Sequence, residues 1–363
     1  MIAVTSTKNQ AIYSTQASGK RDTFQKRRFR RGVLFAVVLT LLAITCICSV
    51  IVGQYDLELD DLWPILAAGP MSATELDASV LWQIRLPRLV LGLFVGAALG
   101  LGGALMQAVF SNPLAEPSII GVTSGAGVGA AVAIVFGTSA LGSWSVPVCA
   151  FAAGIATTIV VYQLSRSDGK VQVINLVLVG IAANAIAGAA ISLLVFLAPT
   201  TAREQIIFWQ MGTLAGANWE QTGIVALIVT AAALVALTLG RKLDLLALGD
   251  TAASHVGLNV QQVRIAAIFL STLLTAAAVS FAGLIAFVGL VIPHIIRTVA
   301  GPSNRVLIPA SIVGGALLIG ASDIFARILI PFADLPIGIF TALFGGPTFF
   351  ILLRQMIRKS RVA

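Results

Sequence analysis

The sequence predicts an all-α integral membrane protein of about ten membrane-spanning helices, some of them short or broken, with both chain ends in the cytoplasm. Three observations carry that prediction. Of the 363 residues, 58% are hydrophobic and only 10% charged, and the mean hydropathy is +0.98; soluble domains carry about 25% charged residues. Apolar runs of roughly 20 residues, the length that crosses a hydrocarbon core, recur along the chain. Lys and Arg gather in alternate connections, the bias that orients a chain in a bilayer.

The elements follow in order. Residues 1–32 are polar, basic and rich in Ser, Thr and Gln, the composition of a disordered cytoplasmic tail. Arg27, Arg28, Arg30 and Arg31 precede an apolar run over 33–53. That run is longer than a signal-peptide h-region and no small-x-small site ends it, so it is expected to stay as the first span. Ala43-Ile44-Thr45 before Cys46 is likewise a poor lipoprotein processing signal.

Further runs lie at 88–110, 118–137, 145–164, 174–198, 222–240, 263–282, 283–296, 306–329 and 336–355, within a single transmembrane domain over 33–357. The eighth, interrupted by Gly283, Gly289 and Pro293, is expected to be short and enclosed by its neighbours. Lipid offers no partner for a freed backbone group. Gly92, Gly96 and Gly100 in the second run, and Gly121, Gly125 and Gly129 in the third, place small residues four apart, which lets helix backbones approach closely.

With the N-terminus inside, all 23 Lys and Arg except Arg85, Arg88, Arg203 and Arg327 fall on the cytoplasmic side, which requires an even number of spans. Trp63, Trp82, Trp144, Trp209 and Trp219 then fall on outer loops or membrane edges, as an interfacial belt does. The net charge of +8 sits in tails and loops and reflects topology rather than nucleic-acid binding.

Several function classes lose support. Cys46, Cys48 and Cys149 all lie inside apolar runs and form neither a disulfide framework nor a metal site. No G-x-x-x-x-G-K-[ST] stretch is present, and Gly19-Lys20 lacks the upstream glycine, so any ATP hydrolysis belongs to a partner. Inside the runs only Asp323 and Arg327 are ionisable, near an outer end, which weighs against an ATP-independent secondary carrier. His255 and His294 stand far apart in loop-like contexts, which offers no set of ligands for a bare metal ion and no catalytic cluster.

Three patches remain as candidate sites. Arg85, Arg88 and Arg327 lie on the side where topology disfavours positive charge. They are either lipid or local contacts, such as Arg327 with Asp323 one turn away, or sockets for carboxylates of an external partner. Residues 246–258 place Asp250 to N-cap a short cytoplasmic helix and Gly257 to end it, either as a surface loop or as a knob that docks into a partner. The fifth run offers small residues, Gly180, Ala182, Ala183, Ala185 and Gly188, with Asn184 as its polar group, suited to lining a path or to helix packing.

Ordered motifs join these patches: Arg85-Leu-Pro-Arg88; Gly103-Ala-Leu-Met-Gln107, then Asn112-Pro-Leu-Ala-Glu-Pro117 and Gly121; Gly180-Ile-Ala182; and Trp209-Gln-Met-Gly212. Leu248-Gly-Asp250 with Gly257, Gly283 through Pro293-His294, and Leu335-Pro-Ile-Gly338 with Gly345-Gly-Pro347 complete the series. From about residue 80 to 357 the chain resembles the type II ABC importer permeases that take up siderophore, haem and cobalamin complexes, the FecCD type.

That resemblance implies a bacterial inner-membrane subunit, paired with the same or a homologous permease, two ATP-binding subunits and a substrate-binding protein. It implies alternating access without bond chemistry, ATP and Mg used only by the partners, and no cofactor on this chain. The implied cargo is a metal chelate, ferric siderophore first, with haem or cobalamin as the alternative. It assigns Arg85, Arg88 and Arg327 to binding-protein docking, Asn112 and Leu114 to the cytoplasmic gate, and Gly249, Asp250, His255 and Gly257 to ATPase coupling. On the same picture Gly180, Ala183 and Asn184 are expected on the translocation path. The chain departs from the pattern near Gln172, Val173 and Ile174, where the family often has small hydroxyl residues, at Asp334, where Glu is commoner, and in its longer basic tail.

Overall fold

The computed structural model describes residues 3–70, 76–137, 139–167 and 170–360. Residues 1 and 2 of the tail, and Arg361 of the inner basic set, lie outside the described residues. The described chain is helical almost throughout, with one two-residue antiparallel ladder pairing Arg166–Ser167 with Lys170–Val171.

Eight helices are long and apolar enough to cross a membrane, and two shorter apolar helices bring the described segments to the predicted ten. In order they are α1 (Ala3–Ile51), α3 (Leu76–Val109), α4 (Val122–Phe136), α5 (Ser145–Leu164), α6 (Val173–Leu197), α8 (Trp219–Leu246), α10 (Val260–Ala282), α11 (Val288–Ala300), α12 (Asn304–Ile328) and α13 (Ile337–Ser360). Between them lie three short helices, α2 (Leu59–Ala68), α7 (Thr200–Met211) and α9 (Asp250–His255). Neither α2 nor α7 is apolar enough along its length to register as a run, so apolar length alone does not find them.

Two differences from the expectation have local causes. The first helix reaches back to Ala3, through the segment whose composition reads as a disordered tail. No proline interrupts residues 3–32, so the helix nucleated by the first span can propagate backwards at low cost. The third run forms only a 15-residue helix, because Pro117 opens a 3-10 turn over Pro117–Ile120 and Gly121, at φ 80°, turns left-handed before α4 begins. The eighth segment is short as expected: Phe287 takes φ 68° at the start of α11, and Pro293 lies inside it.

Helix α3 is the hub, packed against α12, α10, α8 and α11, and it is the most enclosed span. Its glycines make this possible. A Cβ on Gly96 would overlap the Gly315 carbonyl of α12, and one on Gly103 would overlap the Gly289 carbonyl of α11. Gln107, one turn beyond Gly103, donates to the carbonyls of Gly289 at 3.4 Å and Leu290 at 3.1 Å; Pro293, four residues after Gly289, has no N–H to offer the first of them. Helix α6 is peripheral, with Ile174, Leu178, Ile181, Ile186, Leu193 and Phe196 exposed along one side.

The Trp-Gln-Met-Gly and Leu-Pro-Ile-Gly motifs meet at the outer side. Gly212, at φ 71°, accepts from Ile337 N–H at 2.9 Å, and Thr213 N–H donates to Ala282 at 2.8 Å. The outer aromatic residues are linked too: Trp82 donates to Ile65 carbonyl at 3.2 Å and Trp219 donates to Trp82 carbonyl at 2.7 Å.

Candidate functional site

At the outer ends of α1, α3 and α12 the anomalous arginines gather. Arg88 Nε meets Asp323 Oδ1 at 2.8 Å, and its Nη1 meets Asp334 Oδ2 at 2.8 Å. Arg327 Nε lies 3.2 Å from Asp323 Oδ2 one turn along α12, and its Nη2 donates to Ser49 Oγ of α1 at 2.7 Å. Arg85 donates to the carbonyls of Val50 at 2.5 Å, Ile51 at 2.7 Å and Tyr55, saturating the C-terminal end of α1. Gln54 completes the junction by donating to Arg327 carbonyl at 3.0 Å, and to Ile330 and Ala333 carbonyls.

Arg85, Arg88 and Arg327 thus carry local contacts of the kind that the sequence offered as one of its two readings. All three are buried, and each guanidinium is engaged inside the chain. The physical reason is desolvation: an arginine withdrawn from water needs a carboxylate or carbonyl, and α12 and the end of α1 supply both. Arg203, the fourth outer arginine, donates to Val195 and Ala198 carbonyls and so caps the end of α6.

On the cytoplasmic side, α9 forms the predicted knob, but Asp250 is its first helical residue rather than its N-cap. Gly249 holds the cap position at φ 96° with no side-chain cap. The Asp250 carboxylate is drawn instead to Arg264 Nη2 on α10, at 2.9 and 3.2 Å. His255 ends the helix exposed, and Gly257, at φ 83°, turns the chain toward α10. Ser167, Val171, Gln172, Val173, Gln261 and the Asp250–Arg264 pair surround a cavity of about 620 Å³. The start of α6, where the sequence departs from the pattern it resembles, therefore sits beside α9.

Asn112 and Leu114 occupy a tight turn between α3 and α4. Asn112 is exposed and its Oδ1 accepts from Leu114 N–H at 3.0 Å; Ser111 before it takes φ 48°. The turn leads into Pro117–Ile120, which packs on α6. Asn184 Nδ2 donates to Ser118 carbonyl at 3.1 Å, and Ser124 Oγ donates to Asn184 Oδ1 at 2.6 Å. A Cβ on Gly180 would overlap the Ile119 carbonyl, and Ala183 packs with the main core. Gly180, Ala183 and Asn184 thus pack against the turn segment that leads into α4. The residues brought to the exposed side of α6 are their neighbours Ala182, Ala185 and Gly188.

The chain matches the FecCD transport family over residues 41–355. It belongs to that family. The hemin transport system permease protein HmuU of Yersinia pestis is 35% identical over 337 residues, spanning 92% of this chain and 99% of its own length. The vitamin B12 import system permease protein BtuC of Salmonella paratyphi A is 34% identical over 337 residues, with 93% and 99% covered. A solved metal-chelate type ABC transporter in an inward-facing conformation superposes with a TM-score of 0.79 at 34% identity, over 89% of this chain and 99% of that one.

The FecCD chain is a multi-pass permease of the ABC importer type, and for its own sites the sequence missed two groups. Arg264 pairs with Asp250 of α9; its signal was a lone basic residue just inside the cytoplasmic edge of an apolar run. Asp323, placed by the sequence next to Arg327 alone, also neutralises Arg88, which is 235 positions away. His294, read as a loop residue, is buried inside α11.

Proposed function

We propose that this chain is the membrane-spanning subunit of an ATP-driven importer of a metal chelate, the class that includes ferric siderophores, haem and cobalamin. The observation that carries the proposal is the cytoplasmic knob α9, bound to a spanning helix by the Asp250–Arg264 pair. A short rigid helix held by a charged clamp transmits the movement of a docked subunit into α10, which packs against the hub α3. A chain without a phosphate-binding loop needs such a device, because the ATPases are separate subunits.

The end-to-end likeness to permeases named for hemin and for vitamin B12 supports a bulky chelated cargo. It favours the tetrapyrrole complexes as much as the ferric siderophore that the sequence reading put first. On this reading two permease copies, or this chain and a homologue, enclose the path, and a substrate-binding protein delivers cargo to the outer face in a bacterial inner membrane.

The test is reconstitution in proteoliposomes with cognate ATP-binding and substrate-binding subunits, with uptake of ferric siderophore, haem and cobalamin measured side by side. ATP-dependent accumulation of one of them is expected. Uptake by this chain without ATPase subunits would overturn the proposal in favour of a secondary carrier.

A further inference from the structure

The two short helices begin beside the same cavity, a space of about 180 Å³ that has room for more than one water molecule. Its polar lining is Glu116, Ser118, Thr123 and Thr275, and Phe287 and Gly289 at the start of α11 close another side. The rest of the lining is apolar, and no Lys, Arg or His is part of it.

Among the described residues, Glu116 is therefore a carboxyl without a counter-cation. Helices α4 and α6, which pack against its segment, carry no ionisable residue, and α5 carries only Cys149 and Tyr162. The basic groups of the other neighbours are committed or lie elsewhere: Arg85 and Arg88 of α3 in the outer cluster, Arg264 of α10 on Asp250, and His294 and Arg297 further along α11. A half-buried carboxylate in that position, with no cation beside it, lowers its free energy by taking up a proton.

The surrounding oxygens suit the neutral form. Ser118 Oγ donates to Glu116 Oε1, which leaves the other carboxyl oxygen to carry a hydrogen. Thr275, 1% exposed, has its Oγ1 buried without any hydrogen-bond partner in the lining that it shares with Glu116, which places an acceptor at the same cavity as the carboxyl. Burial pushes the Glu116 carboxyl up from its ordinary range, and the Ser118 hydroxyl pulls more weakly the other way.

We propose that this cavity is a proton-binding site and that Glu116 is the group that takes the proton. The site lies between two strained positions: Ser111, whose φ of 48° opens the turn before Glu116, and Phe287, whose φ of 68° opens α11 without a side-chain cap. The N-termini of α4 and α11 favour an ionised carboxylate, and burial favours a neutral one. Opening the cavity to water removes the second effect and releases the proton, so proton binding and closure of this region are linked. The site goes beyond the transport reading and does not depend on cargo or partners.

The sign of the effect is fixed by the raised folded value. Between the ordinary glutamate range, about 4.3, and that raised value, the folded chain binds more protons than the unfolded one. Stability from this group is therefore lost as pH rises through that window, then levels off. The experiment measures the melting temperature of the purified full chain in detergent across pH at fixed ionic strength, with the infrared band of protonated carboxylic acid as a second readout.

Wild type should lose melting temperature as pH rises, and Glu116→Gln, permanently neutral, should lose that component and the infrared band. Thr275→Val should move the transition to lower pH. Should Glu116→Gln fail to fold, Glu116→Asp must keep a titration at a displaced pH. Equal pH profiles for wild type and Glu116→Gln would overturn the proposal. So would a stabilisation by NaCl over choline chloride that is lost in Glu116→Gln, because the cavity would then hold a metal cation instead.

Discussion

Asp323 is the carboxylate that two buried arginines share, and replacing it by Asn tests the outer cluster most sharply. Its side chain is 3% exposed and faces Arg88 Nε at 2.8 Å and Arg327 Nε at 3.2 Å. Asn keeps the size of the side chain and removes the charge. Arg88 and Arg327 would then stand against Asp334, while Arg85 faces Asp56. Breaking a buried ion pair by removing one partner costs about 3–5 kcal/mol. Arg88 keeps Asp334 and Arg327 keeps Ser49, so the lower end of that range is expected. Asp334 gives the internal control, because its side chain is 37% exposed and water screens its pair with Arg88. Asp334→Asn should cost about 0–1 kcal/mol. Melting of the detergent-purified chain, followed by tryptophan fluorescence, compares the two variants. Adding Arg88→Met to each then closes a double-mutant cycle. The reasoning fails if Asp323→Asn costs no more than Asp334→Asn.

Three other outcomes are expected. Arg264→Asp should abolish ATPase stimulation by the permease while the permease pair still forms, and adding Asp250→Arg should restore part of it; equal loss in single and double variants would show that the pair does not position α9. Gly103→Leu should prevent recovery of folded protein, because its side chain would meet the Gly289 carbonyl, whereas Gly188→Leu, with nothing within 4 Å, should fold normally; comparing monodisperse yields decides this. Asn184→Ala removes a donor to Ser118 carbonyl and an acceptor for Ser124 Oγ. At about 0.5–1.5 kcal/mol for each bond, it should raise amide hydrogen exchange at residues 112–121 several-fold, and unchanged exchange there would show that α6 does not hold the gate segment.

Much of the architecture was legible because a bilayer acts on local composition. Apolar length located all ten segments, and the distribution of basic residues and tryptophans oriented them. The break at Gly283 to Pro293 announced a short helix for the same reason. The shortening of α4 was not found, since Pro117 and Gly121 sit at the edge of an apolar run and hydropathy does not register a left-handed turn. The turn residues announced the short helix α9, yet they placed Asp250 as a cap because capping is the local preference of aspartate. Arg264, 14 positions away, offers a charged partner that a local rule does not contain.

The sequence alone determined the class of molecule and the number and orientation of its spans. Each of these follows from transfer free energies and backbone preferences that act within one helix or one turn. Which groups neutralise the outer arginines, which face of α6 is packed, and which side chains share a cavity with Glu116 were decided only by tertiary structure. The partners there are up to 278 positions apart, as Arg327 and Ser49 are. Burial forces every such polar group to find a partner, but only the packing of helices around α3 settles which one it meets.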